Sequence, residues 1–351
     1  MNKRELIINI HDYKIISSIW ENRNNENILI FFNETKIDLG EEKDFFSKLS
    51  QNLKKTKNYF YQTNNEDELN SNLKVFLDSL NINEEILSKI YKSDRKIIID
   101  DNFLEKFYYQ EKKREKAQSN FKIKINDFDV ERIENYKKQK VNDIKFNYLE
   151  FKIDEKVLNK IEETINEIFG LLKIEFHFFN KSFIEYALKN INNDLDYILI
   201  NPNRNLINAY WLQSGQIIKN FKIDIKYNEI IEKIIKAHNF INKNEAVGLL
   251  NNYFKNYLDK HNTEIIKNIL NKEIEQKTKI IFENYKENYF IPQEKFYLDN
   301  NNISLKILEE NHPKENFIKL KNIFFKELFE NNTNKKEVPI EILISYLNNQ
   351  I

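Results

Sequence analysis

Three short apolar runs near the start of the chain predict a meander of β-strands. They are Leu6–Ile10, Ile15–Trp20 and Ile28–Phe32. Apolar, β-branched runs of this length between polar turns are typical of strands. At 43–54 and 66–91 the apolar residues instead recur every three or four positions, as Leu73, Phe76 and Leu77 do, and this spacing predicts helices.

The middle of the chain predicts a small strand–helix–strand unit at 121–153. Phe121, Ile123 and Ile125 alternate with lysines, which predicts a half-buried strand. A helix capped by Asn126 or Asp127 is expected to follow, with its apolar residues inward. A second alternating strand begins at Ile144 and completes the unit.

A longer ordered pattern begins at residue 158. An apolar helical stripe precedes a buried strand at Tyr197–Ile200 and a hairpin that turns at Ser214 and Gly215. The other predicted elements are helices around 230–235, 246–257 and 263–286, a strand at Tyr297, a helix at 315–330 and an amphipathic segment at 339–351. No Lys or Arg follows Lys336, so the last segment is expected to pack or to bind a partner rather than to lie on a membrane.

Composition narrows the possible function classes. Among 351 residues, 55 Lys plus Arg balance 55 Asp plus Glu, so no overall positive charge is available to hold nucleic acid. The chain has no Cys, which excludes disulfides and thiol catalysis, and its 4 Gly are too few for several phosphate-binding loops. We find no signal-peptide pattern and no apolar run long enough for a transmembrane segment, so a cytoplasmic location is expected.

Residues that often carry chemistry do not form a known motif in this sequence. The Walker A, GxGxxG, GxSxG and HExxH patterns are absent. The five His lack the spacing of metal ligands, so no metal site is expected. The paired acids at 100–101 and 194–196 are interpreted as solvated turn residues.

Four segments after residue 158 resemble, in order and spacing, the second half of actin-like ATPases of the FtsA and PilM group. They read IFGLLKIEF at 168–176, FIEYALKNI at 183–191, YILINPNRNLINAYWLQSGQIIKNFKIDI at 197–225 and NEAVGLL at 244–250. The resemblance implies an α/β, actin-like fold (ribonuclease H-like and duplicated) with a small inserted strand–helix–strand subdomain. The implied organisation is a first actin-like subdomain at 1–95, the inserted subdomain at 96–153, the second actin-like half at 154–310 and a helical tail at 311–351.

Ten positions that would contact nucleotide in this family carry other residues here. They are Asn9, His11 and Asp12 in the first phosphate loop, Asn201, Asn203 and Arg204 in the second, Val247 and Leu250 near the ribose, and Asp299 and Asn300 near the adenine. The lost glycines would have let backbone N–H groups reach phosphate. These changes predict a fold that is retained without ATP hydrolysis and without a bound cofactor.

Three functions stay open on this basis. The first is a non-catalytic scaffold, FtsA-like in cell division or PilM-like in type IV pilus assembly. Its partners would be proteins, either further copies of itself or a membrane complex, and it would work at the inner face of the cytoplasmic membrane. The second is an ATP-binding ATPase with unconventional loops, in which Asp12 and Asp299 help to bind Mg²⁺. The third is an unrelated α/β interaction module, which would lack two similar halves.

Overall fold

Three β-sheets organise the chain in the computed structural model, which describes residues 4–23, 26–38, 42–63, 73–78, 82–105, 118–126, 128–130, 133–170, 173–191, 196–203, 206–213, 216–239, 241–283, 294–297, 316–319, 342 and 344. The first half begins with β1 (Arg4–Ile10), β2 (Lys14–Arg23), β3 (Glu26–Lys36), α1 (Phe45–Thr63) and β4 (Leu73–Leu77). The inserted sheet contains β5 (Asn83–Ile98), β6 (Gln118–Ile125), β7 (Phe128–Val130) and β8 (Lys140–Lys152). The first half then ends with α2 (Glu155–Phe169), β9 (Ile174–Phe178) and α3 (Phe179–Asn190).

The second half has the elements β10 (Tyr197–Pro202), β11 (Leu206–Gln213), β12 (Gln216–Asp224), α4 (Tyr227–Ala237), α5 (Lys243–Phe254), α6 (Lys260–Glu283), β13 (Glu294–Tyr297) and β14 (Asn316–Lys319). Its strand order is β12-β11-β10-β13-β14, and that of the first half is β3-β2-β1-β4-β9. In both, three antiparallel strands continue into two strands parallel to the first. The same mixed order twice means that the halves are structural duplicates. This duplication argues against the third hypothesis, the unrelated module.

The turns after β1 and β10 are equivalent in the two halves. The turn after β1 is closed by a bond of 2.9 Å from His11 N–H to the Lys14 carbonyl, and the turn after β10 by one of 2.7 Å from Asn203 N–H to the Leu206 carbonyl. His11 therefore corresponds to Asn203, and Asn9 corresponds to Asn201. Ligands of open α/β sheets bind beyond the carboxyl ends of such strands, so these turns locate the candidate site.

Alternation along β10 explains why the whole strand is apolar. Tyr197 and Leu199 pack into a core that also contains the first sheet and α1, α2 and α3. Ile198 and Ile200 face the opposite way, into a second core formed with α4, α5 and α6. A strand that is buried on both faces reads as a continuous apolar run.

The inserted sheet has the order β5-β8-β6-β7 and is antiparallel throughout. A third, smaller core that includes Ile99, Ile125 and Ile144 packs beside it. The predicted alternation at Ile144 is confirmed by β8, which is a strand. The helix predicted after a cap at Asn126 or Asp127 is wrong, because 128–130 form β7 and 133–136 form a single 3₁₀ turn.

Two other predicted helices are also wrong, whereas most of the predicted second half is confirmed. Residues 73–77 and 83–98 of the helix predicted at 66–91 are the strands β4 and β5. In the helix predicted at 315–330, residues 316–319 are the strand β14, which lies within the second sheet. The hairpin β11–β12 and the helices α4, α5 and α6 match the sequence pattern.

The C-terminal segment packs against the first half at its two described positions. Ile342 and Ile344 are both helical and almost completely buried in the core of the first half. This packing is one of the two outcomes that the absence of terminal basic residues predicts. Among the described helices, none is both long enough and apolar enough to cross a bilayer.

Candidate functional site

A buried carboxylate lies at the centre of the site, where the turns of the two halves meet. Asp78 follows β4 directly, and its N–H bonds to the carbonyl of Ile10 at 2.9 Å, which places it beside the end of β1. Its Oδ2 lies 3.1 Å from Nδ1 of His11, 3.0 Å from Nδ2 of Asn203 and 3.2 Å from Nδ2 of Asn201. One carboxylate therefore joins the first half to the second.

The surroundings of Asp78 stabilise its charged form. Burial by itself would raise the pKa of Asp78, but the hydrogen bond and charge of His11, with the amides of Asn203 and Asn201, outweigh it and lower the pKa below its ordinary value of 3.8. An ionised carboxylate only accepts hydrogen bonds, so His11 must carry a proton on Nδ1 and both Asn residues must point Nδ2 at Asp78. Both amide nitrogens point at Asp78, and Nδ1 is the His11 ring nitrogen that faces it.

The network continues from Asp78 to a second buried carboxyl group. Asn201 Nδ2 also donates to Oδ1 of Asn180 on α3 at 2.5 Å, and Asn180 Nδ2 donates to Oε1 of Glu84 at 2.6 Å. The hydroxyl of Tyr210 on β11 lies 2.5 Å from the other oxygen, Oε2 of Glu84. Because Glu84 belongs to β5, the chain of bonds connects all three sheets.

Glu84 differs from Asp78 in its ionisation. Burial raises the pKa of Glu84 from 4.5 to about 7, although the hydrogen bonds of Tyr210 and Asn180 act in the opposite direction. The negative charge of Asp78 raises it further, and Lys222 on β12 lowers it. The pKa of the Tyr210 hydroxyl is raised well above its usual value by burial and by the nearby Glu84 carboxyl. The Glu84 carboxyl group can therefore be protonated in a large fraction of molecules at neutral pH.

Aromatic rings pack around these polar groups, and the polar groups are almost completely buried. The His11 ring packs edge-on against Phe179 at 5.4 Å between centroids, and Phe76 stacks on His177 at 4.9 Å. His11 and Asp78 are each 1% exposed, and Asn201 and Asn203 are 0% exposed. The carboxyl ends of β1, β4 and β10 are thus covered by the protein's own side chains.

The structure places the ten sequence-predicted positions in three groups. His11, Asn201 and Asn203 meet at Asp78, while Asn9 is buried on β1 two residues before His11 and Asp12 lies half-buried in the turn. The positions expected near the ribose, Val247 and Leu250, lie on α5 and pack with the second core, on the other face of the second sheet from Asp78. Positions 204, 299 and 300, which are Arg204, Asp299 and Asn300, lie outside the described residues.

Four members of the network were missed by sequence reasoning. They are Asp78, Glu84, Asn180 and Tyr210. A short apolar run at Leu73–Leu77 followed by an acidic residue was the available indication for Asp78, since strand ends collect functional side chains. In the part of the chain that the structure describes, no group of three or more His, Asp or Glu is placed to hold a metal ion.

Comparison with known proteins gives matches in structure only. No protein-family model matches the sequence, and a search of curated proteins finds no match. A PilM–PilN type IV pilus biogenesis complex matches with a TM-score of 0.57 and 10% identity, over 97% of this chain and 96% of that chain. The ethanolamine utilization protein EutJ from Carboxydothermus hydrogenoformans gives 0.45 and 10%, over 90% and 84% of the two chains.

A third solved structure is a protein of unknown function with an actin-like ATPase fold from Bacteroides thetaiotaomicron. It matches with a TM-score of 0.41 and 11% identity over 92% of both chains. At such identities the likeness concerns the fold alone. The duplicated sheets and the match to PilM together establish that this chain has the fold of the actin-like ATPases.

Proposed function

We propose that this chain is a non-catalytic actin-like scaffold whose nucleotide cleft is filled by its own side chains. The observation that carries the proposal is the bridge from Asp78 to Asn203 and Asn201, which joins the two halves through a buried carboxylate. In this arrangement an internal anion takes the place of a bound phosphate. The halves are then fixed in one orientation without a ligand.

Nucleotide would meet two obstacles at this site. Phosphate is usually bound by backbone N–H groups in glycine-containing turns, where the absence of a side chain allows close approach. Here His11 and Asn203 occupy both turns and direct their side chains at Asp78. The carboxylate of Asp78 also already occupies Nδ1 of His11 and Nδ2 of Asn203, the side-chain donors that a phosphate would need. Binding would therefore require the bridge between the halves to break.

A role in assembling a protein complex follows from this proposal. The match with PilM in a PilM–PilN pilus biogenesis complex extends over nearly the whole of both chains, which favours a PilM-like role with protein partners. We place this role in the cytoplasm, at the inner face of a membrane complex. An FtsA-like role in cell division is the second candidate. The small sheet inserted between β4 and α2 favours it, although residues 133–136 form a 3₁₀ turn in place of the expected helix.

A titration with a fluorescent ATP analogue and Mg²⁺ tests the proposal against the hypothesis of an active ATPase. We expect no saturable binding by the purified full chain at concentrations where an active actin-like ATPase, run as the positive control, is saturated. The same samples should release no phosphate from ATP above the buffer blank. Micromolar affinity would support the ATPase hypothesis and overturn the scaffold.

The partner is tested separately by co-expression with the products of adjacent genes. Under a PilM-like role, a pilus-assembly membrane protein should co-elute with the full chain in size-exclusion chromatography at a fixed ratio. Co-elution with a division protein instead would select the FtsA-like role. If the chain elutes alone with both sets of candidates, the assembly role is contradicted.

A further inference from the structure

Glu84 occupies the point where the inserted sheet meets both actin-like halves. Its side chain accepts a hydrogen bond from Asn180 of the first half and contacts the hydroxyl of Tyr210 of the second half. Its backbone carbonyl accepts a bond of 3.3 Å from Nδ2 of Asn220 on β12. Glu84 is 8% exposed, so its carboxyl group is largely shielded from water.

Few charges compensate a negative charge at this position. The groups that face Glu84 are Tyr210 on β11, Asn180 on α3, Asp78 after β4 and Lys222 on β12. Asp78 has the same sign of charge as an ionised Glu84. Lys222 already donates from Nζ to the carbonyl of Ile82 at 2.7 Å and is an exposed residue. Two buried carboxylates in one network repel each other, so the protonated form of one of them is favoured.

We propose that Glu84 is a proton-controlled latch: protonation of its carboxyl group stabilises docking of the inserted sheet onto the two halves, and loss of the proton loosens it. In the protonated form the carboxyl O–H can donate to Tyr210 while the other oxygen still accepts from Asn180. In the ionised form both oxygens accept, but a second negative charge is buried near Asp78. The inference concerns regulation of the closed cleft and rests on the proposed function.

The direction of the pH effect follows from the ionisation of Glu84 in the two states. Burial raises the pKa of Glu84 to about 7 when the sheet is docked, compared with an ordinary value of 4.5. The docked state therefore holds more protons between these values, so docking weakens as pH rises through that window. With these two values, the equilibrium constant for undocking rises about tenfold between about pH 6 and about pH 8.

Hydrogen–deuterium exchange of the full chain, read by mass spectrometry and corrected for intrinsic exchange rates, tests the latch. Peptides from β5 and β8 should lose about tenfold in protection between about pH 6 and about pH 8. In Glu84→Gln, whose neutral amide imitates the protonated acid, the same peptides should show no such change. The variant differs from the wild type only at Glu84, so a difference between their pH responses is assigned to that carboxyl group.

A second variant keeps the test decisive if Glu84→Gln folds poorly. Tyr210→Phe removes the hydroxyl that stabilises the ionised carboxyl, so the loss of protection over the same pH range should become larger than in the wild type. The latch is overturned if β5 and β8 respond equally in wild type and Glu84→Gln, or if protection falls uniformly along the chain. Neither result bears on the proposal that side chains fill the nucleotide cleft, because the nucleotide titration tests that proposal independently.

Discussion

Replacing Asp78 with alanine removes the acceptor shared by three buried donors from the two halves. Hydrogen bonds to charged groups contribute about 1.5–3 kcal/mol each, but the variant no longer has to bury a carboxylate, which offsets part of the loss. Removing one partner of a buried charged pair costs about 3–5 kcal/mol, and we expect the free energy of unfolding of Asp78→Ala to fall by this amount. The orphaned amides of Asn201 and Asn203 account for much of the loss.

The melting temperature gives the most direct readout of this change. For 351 residues, an unfolding entropy of about 2.1 cal/mol/K per residue converts the loss into a decrease of roughly 4–7 °C. The matched control is Asp101→Ala, because the Asp101 side chain is 81% exposed and its ion pair with Lys137 lies in solvent. Differential scanning calorimetry near neutral pH should show a change of about 1 °C or less for the control.

Acid should reduce the difference in stability between wild type and Asp78→Ala. The folded pKa of Asp78 lies below its ordinary value of 3.8, so its stabilising contribution is present above that pH and is lost as the pH falls through the folded pKa. A melting temperature of Asp78→Ala that equals that of Asp101→Ala at neutral pH would refute the reasoning. It would mean that the carboxylate does not hold the two halves together.

Two further predictions concern the second half. Leu250→Ala should lower the free energy of unfolding by about 2–5 kcal/mol in chemical denaturation, because Leu250 is 0% exposed in the second core. Replacing Val247, which is half-buried on the same helix, with alanine should lower the free energy of unfolding by clearly less. Equal losses for the two variants would contradict the packing role assigned to Leu250. Asn242→Ala removes the capping box that Asn242 forms with Glu245 at the start of α5 and should cost about 1 kcal/mol, whereas unchanged stability would show that the cap contributes nothing.

The elements with strong local patterns could be predicted from the sequence. The first meander, α2 and the hairpin β11–β12 have long apolar alternations or stripes, and the structure contains each of them. Asp154 accepts from Lys156 N–H at the start of α2, and Gly170 at its end has φ of 87°, which favours glycine. Local signals of this kind fix both ends of the element.

Short strands and long-range contacts could not be predicted in the same way. The run Leu73–Leu77 is only five residues long, and its apolar positions also fit a helical face, so periodicity alone could not distinguish the two. Assigning it to a helix hid Asp78, which reaches the turn after β1 because it follows a strand. Glu84 and Tyr210 are 126 positions apart, so no local pattern connects them.

The resemblance located three of the four residues that meet at the centre of the site. His11, Asn201 and Asn203 were candidates because they stand where the resemblance places the two phosphate loops, and all three contact Asp78. Val247 and Leu250, which the resemblance places near the ribose, lie on α5 and pack into the second core. A family pattern indicates where a loop lies, whereas the side chains that replace its motif determine what they contact.

A high-resolution crystal structure of the full chain grown with excess ATP and Mg²⁺ measures directly whether the cleft is closed. The account predicts that Asp78 Oδ2 stays within hydrogen-bonding distance of both Asn203 Nδ2 and His11 Nδ1, now 3.0 Å and 3.1 Å away, with no nucleotide density between the two turns. An ordered triphosphate between His11 and Asn203, with Asp78 displaced from both, would contradict it.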